Sequence, residues 1–285
     1  MPVTLLMGAV AYDPKVVTIW DGFQKWFAQH DFDFDYILYS NYERQVEGHF
    51  AGHFHVAWNS PLAWLQAERI AAKTGRKTKA IAMRDTDCDL TSVIVVRSDS
   101  SIQSIEDLRG KIVAVGASDS PQATLIPLLH LAEAGLEPEK DFIVRTFDVL
   151  VGKHGDHIGG ERHAAKALIE GAVDAACMID GNHLLFSREG TLPSNSTRIL
   201  TQTAEYDHCN FTVLDGVLPE ETIARFCELL LSMSYDDPQV RPLLDLEGLK
   251  QWKPGRTEKY ALLARAADRF KTIDTFVASV SNSCR

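Results

Sequence analysis

Ser104-Ile105-Glu106-Asp107-Leu108-Arg109-Gly110-Lys111, continued by Ile112-Val113-Ala114-Val115-Gly116, decides the fold of this 285-residue chain. The polar half, with Gly110 as its stop, closes one short helical turn. The apolar half is only four residues long, too short for a helix, and reads as a buried strand. A polar loop follows, then a segment predicted to be helical to about Ala134. Turn, buried strand, loop and helix in that order are the first half of a βαβ unit, which the strand predicted from Phe142 completes.

The same alternation runs outward in both directions. Towards the N-terminus the pattern predicts strands at 3–10, 35–40, 55–59, 78–83 and 91–97, with helices at 16–29, 42–52 and 61–74. The last of these helices is opened by Pro61 in the first helical position, where its missing N–H costs nothing. Towards the C-terminus it predicts strands at 142–148, 173–178, 197–201 and 210–214, and helices at 161–170, 181–187, 219–233 and 256–270. A chain of this length fits two α/β lobes better than one core. The polar stretch Ser98-Asp99-Ser100-Ser101 reads as the passage to a second lobe, and the segments around 206 as the return. Lobe 1 is then 1–98 plus 206–285 and lobe 2 is 99–205, with two crossings, and both last helices are expected on lobe 1.

Composition removes several classes of function. The formal charge is −10 with Lys and Arg scattered, so nucleic acid has no electrostatic footprint here. No apolar run reaches the ~18 residues that a membrane span needs. Five cysteines, an odd number without a CxxC pair, argue against a disulfide scaffold and for a reducing compartment. Met1-Pro2 runs directly into an apolar strand, so the reading is cytoplasmic, with a periplasmic protein whose leader has been removed as the alternative. No cofactor and no metal are expected.

Candidate ligand contacts collect where strands end, because open α/β sheets bind at the carboxyl edges of their strands. They are Tyr42, Asn59, Ser60, Thr91, Ser120, Gln122, Glu161, His163, Asp180 and His208. Asp180, with Asn182 and His183, follows an apolar strand and suits an amino group or hydroxyls. His154-Gly155-Asp156-His157-Ile158-Gly159-Gly160-Glu161-Arg162-His163 carries three histidines and two carboxylates, which could ligate zinc or iron, although the spacing matches no helical ligand pair. Asp207-His208-Cys209 is the segment closest to catalytic chemistry, since a neighbouring imidazole can activate a thiol. Adjacent residues of a strand face opposite ways, so the pair is expected to be split.

The 104–116 stretch, continued by Gly135-Leu136-Glu137-Pro138-Glu139-Lys140-Asp141-Phe142, resembles the phosphate/phosphite/phosphonate substrate-binding subunits of bacterial ABC transporters. Tyr42, Ala57-Trp58-Asn59-Ser60-Pro61, Ser92-Val93-Ile94-Val95-Val96 and Gly171-Ala172-Val173-Asp174-Ala175 extend the resemblance over roughly 5–215. It implies an α/β, two-lobed Venus-flytrap of the periplasmic-binding-protein type II with two crossing strands, closing on a small anionic or zwitterionic ligand, either as a transport receptor served by an ABC permease or as a cytoplasmic sensor derived from one. It also implies an oxyanion held at the start of the second lobe's first long helix, here Gly116-Ala117-Ser118-Asp119-Ser120-Pro121-Gln122-Ala123-Thr124, where open N–H groups and the helix dipole favour an anion. Pro121 and Gln122 replace two of the family's small hydroxyl residues there, which suits a carboxylate or a larger polar group. Tyr42 matches a ligand-reaching tyrosine of the family. Glu161 falls where the family has a ligand-reaching histidine, and as a carboxylate there would repel an anion, so His163 or Arg162 is expected to take that role. Cytoplasmic enzymes on the same fold, acting on a small carboxylate or aromatic acid, are the alternative function.

Overall fold

The computed structural model describes residues 4–148 and 157–283. In chain order the elements are β1 (Leu5–Val10), α1 (Lys15–Gln29), β2 (Phe34–Tyr39), α2 (Tyr42–Phe50), β3 (Val56–Asn59), α3 (Pro61–Lys73), β4 (Thr78–Arg84) and β5 (Ser92–Arg97). Then come β6 (Ile112–Val115), a π-helical turn (Pro121–Leu125) that leads into α4 (Ile126–Glu133), β7 (Ile143–Thr146), α5 (His157–Ile169), β8 (Ala175–Ile179) and α6 (Asp180–Glu189). The chain ends with β9 (Thr197–Gln202), β10 (Asn210–Leu214), α7 (Glu220–Ser232), α8 (Arg241–Glu247), β11 (Trp252–Pro254), α9 (Ala261–Phe270) and α10 (Asp274–Ser283).

Two compact units divide the chain. The first comprises 1–88, 207–260 and 273–285, the second 89–206 and 261–272. In the first, six strands form one mixed sheet in the order β11-β4-β10-β3-β1-β2, with β1 parallel to β2 and β3 and β10 antiparallel to β3 and β4. Its core is aromatic. Phe211 lies with its ring centroid 4.7 Å from Trp58, 5.3 Å from Phe226 and 5.3 Å from Trp252, and Trp20, Phe23 and Phe27 of α1 close the cluster. Rings of this size remove 150–250 Å² each from water, so they dominate the unit's burial.

The second unit is a five-stranded sheet in the order β7-β6-β8-β5-β9, again mixed: β6 is parallel to β7 and β8, and β5 is antiparallel to β8 and β9. Its core is aliphatic on both faces. Val93, Val95, Ala176 and Met178 face Leu168 and Phe186, while Ile94, Val96, Val113 and Cys177 face Leu131, Leu136 and Phe142. The four-residue apolar run read as a buried strand is β6, and the turn before it is closed by a reciprocal cap between Ser104 and Asp107.

Three expectations are corrected. The first junction lies at 88/89 and not at 98, because β5 pairs only with strands of the second sheet. The helix expected at 256–270 begins at Ala261 and belongs to the second unit, where Arg265 pairs with Glu133 at 3.2 Å and Arg269 with Glu137 at 2.5 Å. The chain therefore passes between the units at 260/261 and 272/273 as well as at 88/89 and 206/207. Beside the first and second passages Leu90 and Tyr206 exchange backbone hydrogen bonds of 2.9 and 2.8 Å, as two extended connections should.

Candidate functional site

Each unit gathers polar residues at one edge of its sheet. In the second unit the centre is Glu161, fully buried on the inner face of α5. Its Oε2 accepts the Ile179 N–H at 3.0 Å and Asn182 Nδ2 at 2.8 Å, and its Oε1 accepts Gln122 Nε2 at 3.3 Å. Glu161 thus ties together the end of β8, the start of α6 and the π-turn. The expectation that Glu161 touches a ligand gives way to an internal role, while His163, two residues on and about 200° round the helix, is exposed. Arg162 pairs instead with Glu189 at 3.1 Å and lies over the Phe186 ring at 5.0 Å.

Around this centre hydroxyls and amides are chained. Ser92 Oγ donates to the Gln122 carbonyl at 2.5 Å and lies 2.8 Å from the Tyr206 hydroxyl. Thr91 Oγ1 donates to Asp180 Oδ2 at 2.9 Å and accepts from Gln202 Nε2 at 2.6 Å. Asp180 opens α6 and its Oδ1 accepts the Gly181 N–H at 2.7 Å. Gln202 and Tyr206 were not singled out in the sequence, and Ser92 only within the resemblance; Ser92 begins β5, Gln202 ends β9 and Tyr206 follows it, a strand-end placement that was the usable signal.

The expected oxyanion cradle is altered. Ser120 does cap, its Oγ accepting the Ala123 N–H at 3.2 Å, and Pro121 does take the first position. The turn is π-helical, however, and the N–H groups of Thr124 and Leu125 both donate to the Ser120 carbonyl at 3.2 and 3.0 Å. Ser118 N–H donates to the Asp148 carboxylate at 2.7 Å. The Ser118, Ala123 and Thr124 N–H groups of the expected cradle are therefore satisfied within the chain, and Gln122 points its amide inward to Glu161. Of the histidine-rich stretch read as a possible metal ligand set, 154–156 lie outside the described residues and 157–163 belong to α5.

In the first unit the corresponding edge carries charges. Arg84, at the end of β4, donates from Nε to Asp87 Oδ2 at 2.5 Å and from Nη2 to Oδ1 at 3.0 Å, while Nη1 reaches the Glu247 carboxylate at 3.2 Å and its carbonyl at 2.8 Å. The guanidinium also lies 5.2 Å over the Trp58 ring. Burial pushes the Asp87 carboxyl up, but the Arg84 charge and the hydrogen bonds from His208 and Arg84 outweigh it and hold Asp87 below its usual range. Glu247 goes the other way: burial, helped by the Asp87 charge and opposed by Arg84, raises it to about 7. Arg256 forks onto Asp207 at 2.7 and 2.6 Å.

His208 Nδ1 lies 3.2 Å from Cys209 Sγ and 3.4 Å from Asp87 Oδ1, so the expected split of this pair is corrected. The alternation rule applies to regular strands, and both residues precede β10. The contact does not make a nucleophile. Burial and the Asp87 charge push the Cys209 thiol well above its ordinary value, against the pull of Arg84, and the thiol stays protonated.

The remaining expected contacts fall into this unit's framework. Asn59 is fully buried: its Nδ2 donates to Thr212 Oγ1 at 2.8 Å and its Oδ1 accepts Gln45 Nε2 at 2.9 Å. From Thr212 the chain of bonds runs through Asn210 and the Tyr260 hydroxyl to the His208 carbonyl. Asn59 is thus corrected to an internal brace. Ser60 caps α3, its Oγ accepting the Ala63 N–H at 3.2 Å. Tyr42 begins α2, is 6% exposed, and has its phenol pushed well above its ordinary value by burial and by Cys209 and Tyr12.

Comparison with known proteins accounts for this architecture. Residues 9–260 match the family model described as the periplasmic substrate-binding protein of phosphonate ABC transporters. No curated protein matches the chain. Among solved structures, PhnD1 from Prochlorococcus marinus in complex with methylphosphonate is 19% identical, with a TM-score of 0.67 over 95% of this chain and 99% of that one. XAC2383 from Xanthomonas citri bound to ATP is 16% identical, with a TM-score of 0.65 over 98% of each chain. The binding-protein component PA3383 of an ABC phosphonate transporter from Pseudomonas aeruginosa is 14% identical, with a TM-score of 0.60 over 99% of this chain and 98% of that one. The fold is the type II periplasmic-binding-protein fold. Among the described residues no helix is long and apolar enough to cross a membrane, and the family's partner is an ABC permease. The chain belongs to the phosphonate-binding family of ABC-transporter substrate-binding proteins.

Proposed function

We propose that the chain is a receptor that delivers a small anionic or zwitterionic ligand of the phosphonate type to an ABC permease, on the periplasmic side. The family match over 9–260 carries this reading. The periplasm was the second of the two compartments weighed from the sequence; the family's description favours it over the cytoplasm. The enzyme alternative draws no support from the one His–Cys contact among the described residues, because its thiol is not activated.

The edge of the second sheet supports a narrower ligand class. Ser120, Thr91 and Asp180 are the proposed contacts there, with Gln122 positioned by Glu161. Two carboxylates, Glu161 and Asp180, lie in this set, and several backbone donors of the π-turn are already used. A compact oxyanion bearing a second, hydrogen-donating end suits such an edge better than bare phosphate, since an amino or hydroxyl group can donate to Asp180.

A thermal-shift series tests the reading. Aminoalkylphosphonates and methylphosphonate should stabilise the protein more than phosphate, sulfonates or ATP at equal concentration, and a ligand at 100 times its Kd adds about 2.7 kcal/mol. Asp180→Asn should erase the preference for the amino compound while leaving methylphosphonate unchanged. Stabilisation by carboxylates alone, with no response to any phosphorus oxyanion, would overturn the ligand class.

A further inference from the structure

We propose that Asp87, His208 and Cys209 form a binding site for a divalent, thiol-seeking cation of the zinc type. The three side chains offer one carboxylate oxygen, one imidazole nitrogen and one sulfur, all within 4.8 Å of one another. His208 Nδ1 is 3.4 Å from Asp87 Oδ1 and 3.2 Å from Cys209 Sγ. Zinc bonds of about 2.0–2.1 Å to nitrogen and oxygen and about 2.3 Å to thiolate set tetrahedral ligand atoms roughly 3.3–3.6 Å apart. Those two edges of the tetrahedron are thus nearly in place without a metal.

The surroundings hold these ligands still. His208 N–H donates to the Asp87 carbonyl at 2.9 Å, and the Tyr260 hydroxyl donates to the His208 carbonyl at 2.5 Å. Arg84 grips Asp87 Oδ2 at 2.5 Å and keeps that grip while Oδ1 turns to a metal, exchanging the 3.0 Å bond from Nη2 and the contact from His208 Nδ1, whose ring carries its proton on Nε2 when Nδ1 ligates. Charge also permits the cation. Two buried carboxylates, Asp87 and Glu247, face the one guanidinium of Arg84. When both are ionised the group is short by one positive charge. A dication that displaces the Cys209 proton to solvent supplies that one charge. Imidazole, carboxylate and thiolate together select zinc over magnesium or calcium, which prefer all-oxygen sites. The His208 side chain is 19% exposed, which gives an ion its way in. This site is independent of the receptor reading.

Cobalt(II) is the probe, because a thiolate ligand gives it a near-ultraviolet charge-transfer band. Titration of the purified chain should show that band saturating at one equivalent, and zinc should bleach it. Cys209→Ser should abolish the band, and Asp87→Asn should weaken cobalt binding at least tenfold. Should Cys209→Ser fail to fold, His208→Gln, which keeps the thiol, must still weaken binding at least tenfold. A band that survives Cys209→Ser would assign the metal to another of the five cysteines and overturn the proposal. Binding without any thiolate band would do the same, as would an unchanged affinity in His208→Gln.

Discussion

The two units answer the same problem, a polar edge on a buried sheet, with different chemistry. The first sets ionised groups against each other: Arg84 on Asp87 and Glu247, and Arg256 on Asp207, beside an aromatic core. The second surrounds one buried carboxylate, Glu161, with amides and hydroxyls beside an aliphatic core. Charges locked in forked pairs are expensive to disturb and hold a segment in one place. Hydroxyls and amides have lone pairs and protons that can be traded for those of a ligand. The contrast teaches where partners can be exchanged: among the hydroxyls and amides of the second unit, while the forked ion pairs of the first stay held.

The sharpest way to break that comparison is to remove Arg84. Arg84→Met leaves Asp87 and Glu247 buried without their cation and should cost about 3–5 kcal/mol in chemical denaturation. A loss below ~1 kcal/mol would mean that the charged edge is no anchor. Glu161→Gln should cost less, about 1–3 kcal/mol, since it swaps one accepting oxygen for a donor that faces existing donors. It should also weaken phosphonate binding by displacing Gln122.

The pH dependence separates the edges further. Glu247 has its folded value raised to about 7 from an ordinary 4.5, so its protonated form stabilises the fold. That contribution is complete below pH ~4.5 and is lost as pH rises through about 7. Asp87, held low, acts in the opposite sense: its contribution is present above its unfolded value near 3.8 and is lost as pH falls further. Glu247→Gln should therefore flatten the stability profile between pH 4.5 and 7 and leave the acid limb in place. A wild-type profile already flat across that window would contradict the assignment. The smallest effect belongs to the caps: Ser60→Ala, removing the hydrogen bond to Ala63 N–H, should cost ~1 kcal/mol without altering ligand preference.

Local pattern made most elements legible. The runs at 112–115 and 210–214 are short, apolar and bounded by polar turns, and they form strands where expected. Destinations were not legible. Nothing in the periodicity of 92–97 says which sheet it joins, and the amphipathic stripe of α9 says only that something covers it, which proved to be α4 of the second unit. The site followed the same rule. Ser60 and Ser120 were read as ligand contacts and both cap a helical turn, a role that a serine directly before a helix-opening proline signals locally. Asn59 lies at a strand end like a ligand contact, but its partner Thr212 is 153 residues away. Arg84 and Asp87 stand three apart after an apolar strand, which was a usable signal; Glu247, 163 residues from Arg84, left none. His208 and Cys209 were separated by a rule that holds only inside a regular strand.

Isothermal titration of the purified chain with an aminoalkylphosphonate, at pH 7 and without added metal, tests the central claim most directly. A receptor of this family should bind one equivalent with no chemical change in the recovered ligand, and Asp180→Asn should weaken that binding at least tenfold. Failure to bind any phosphonate, or recovery of a converted product, would contradict it.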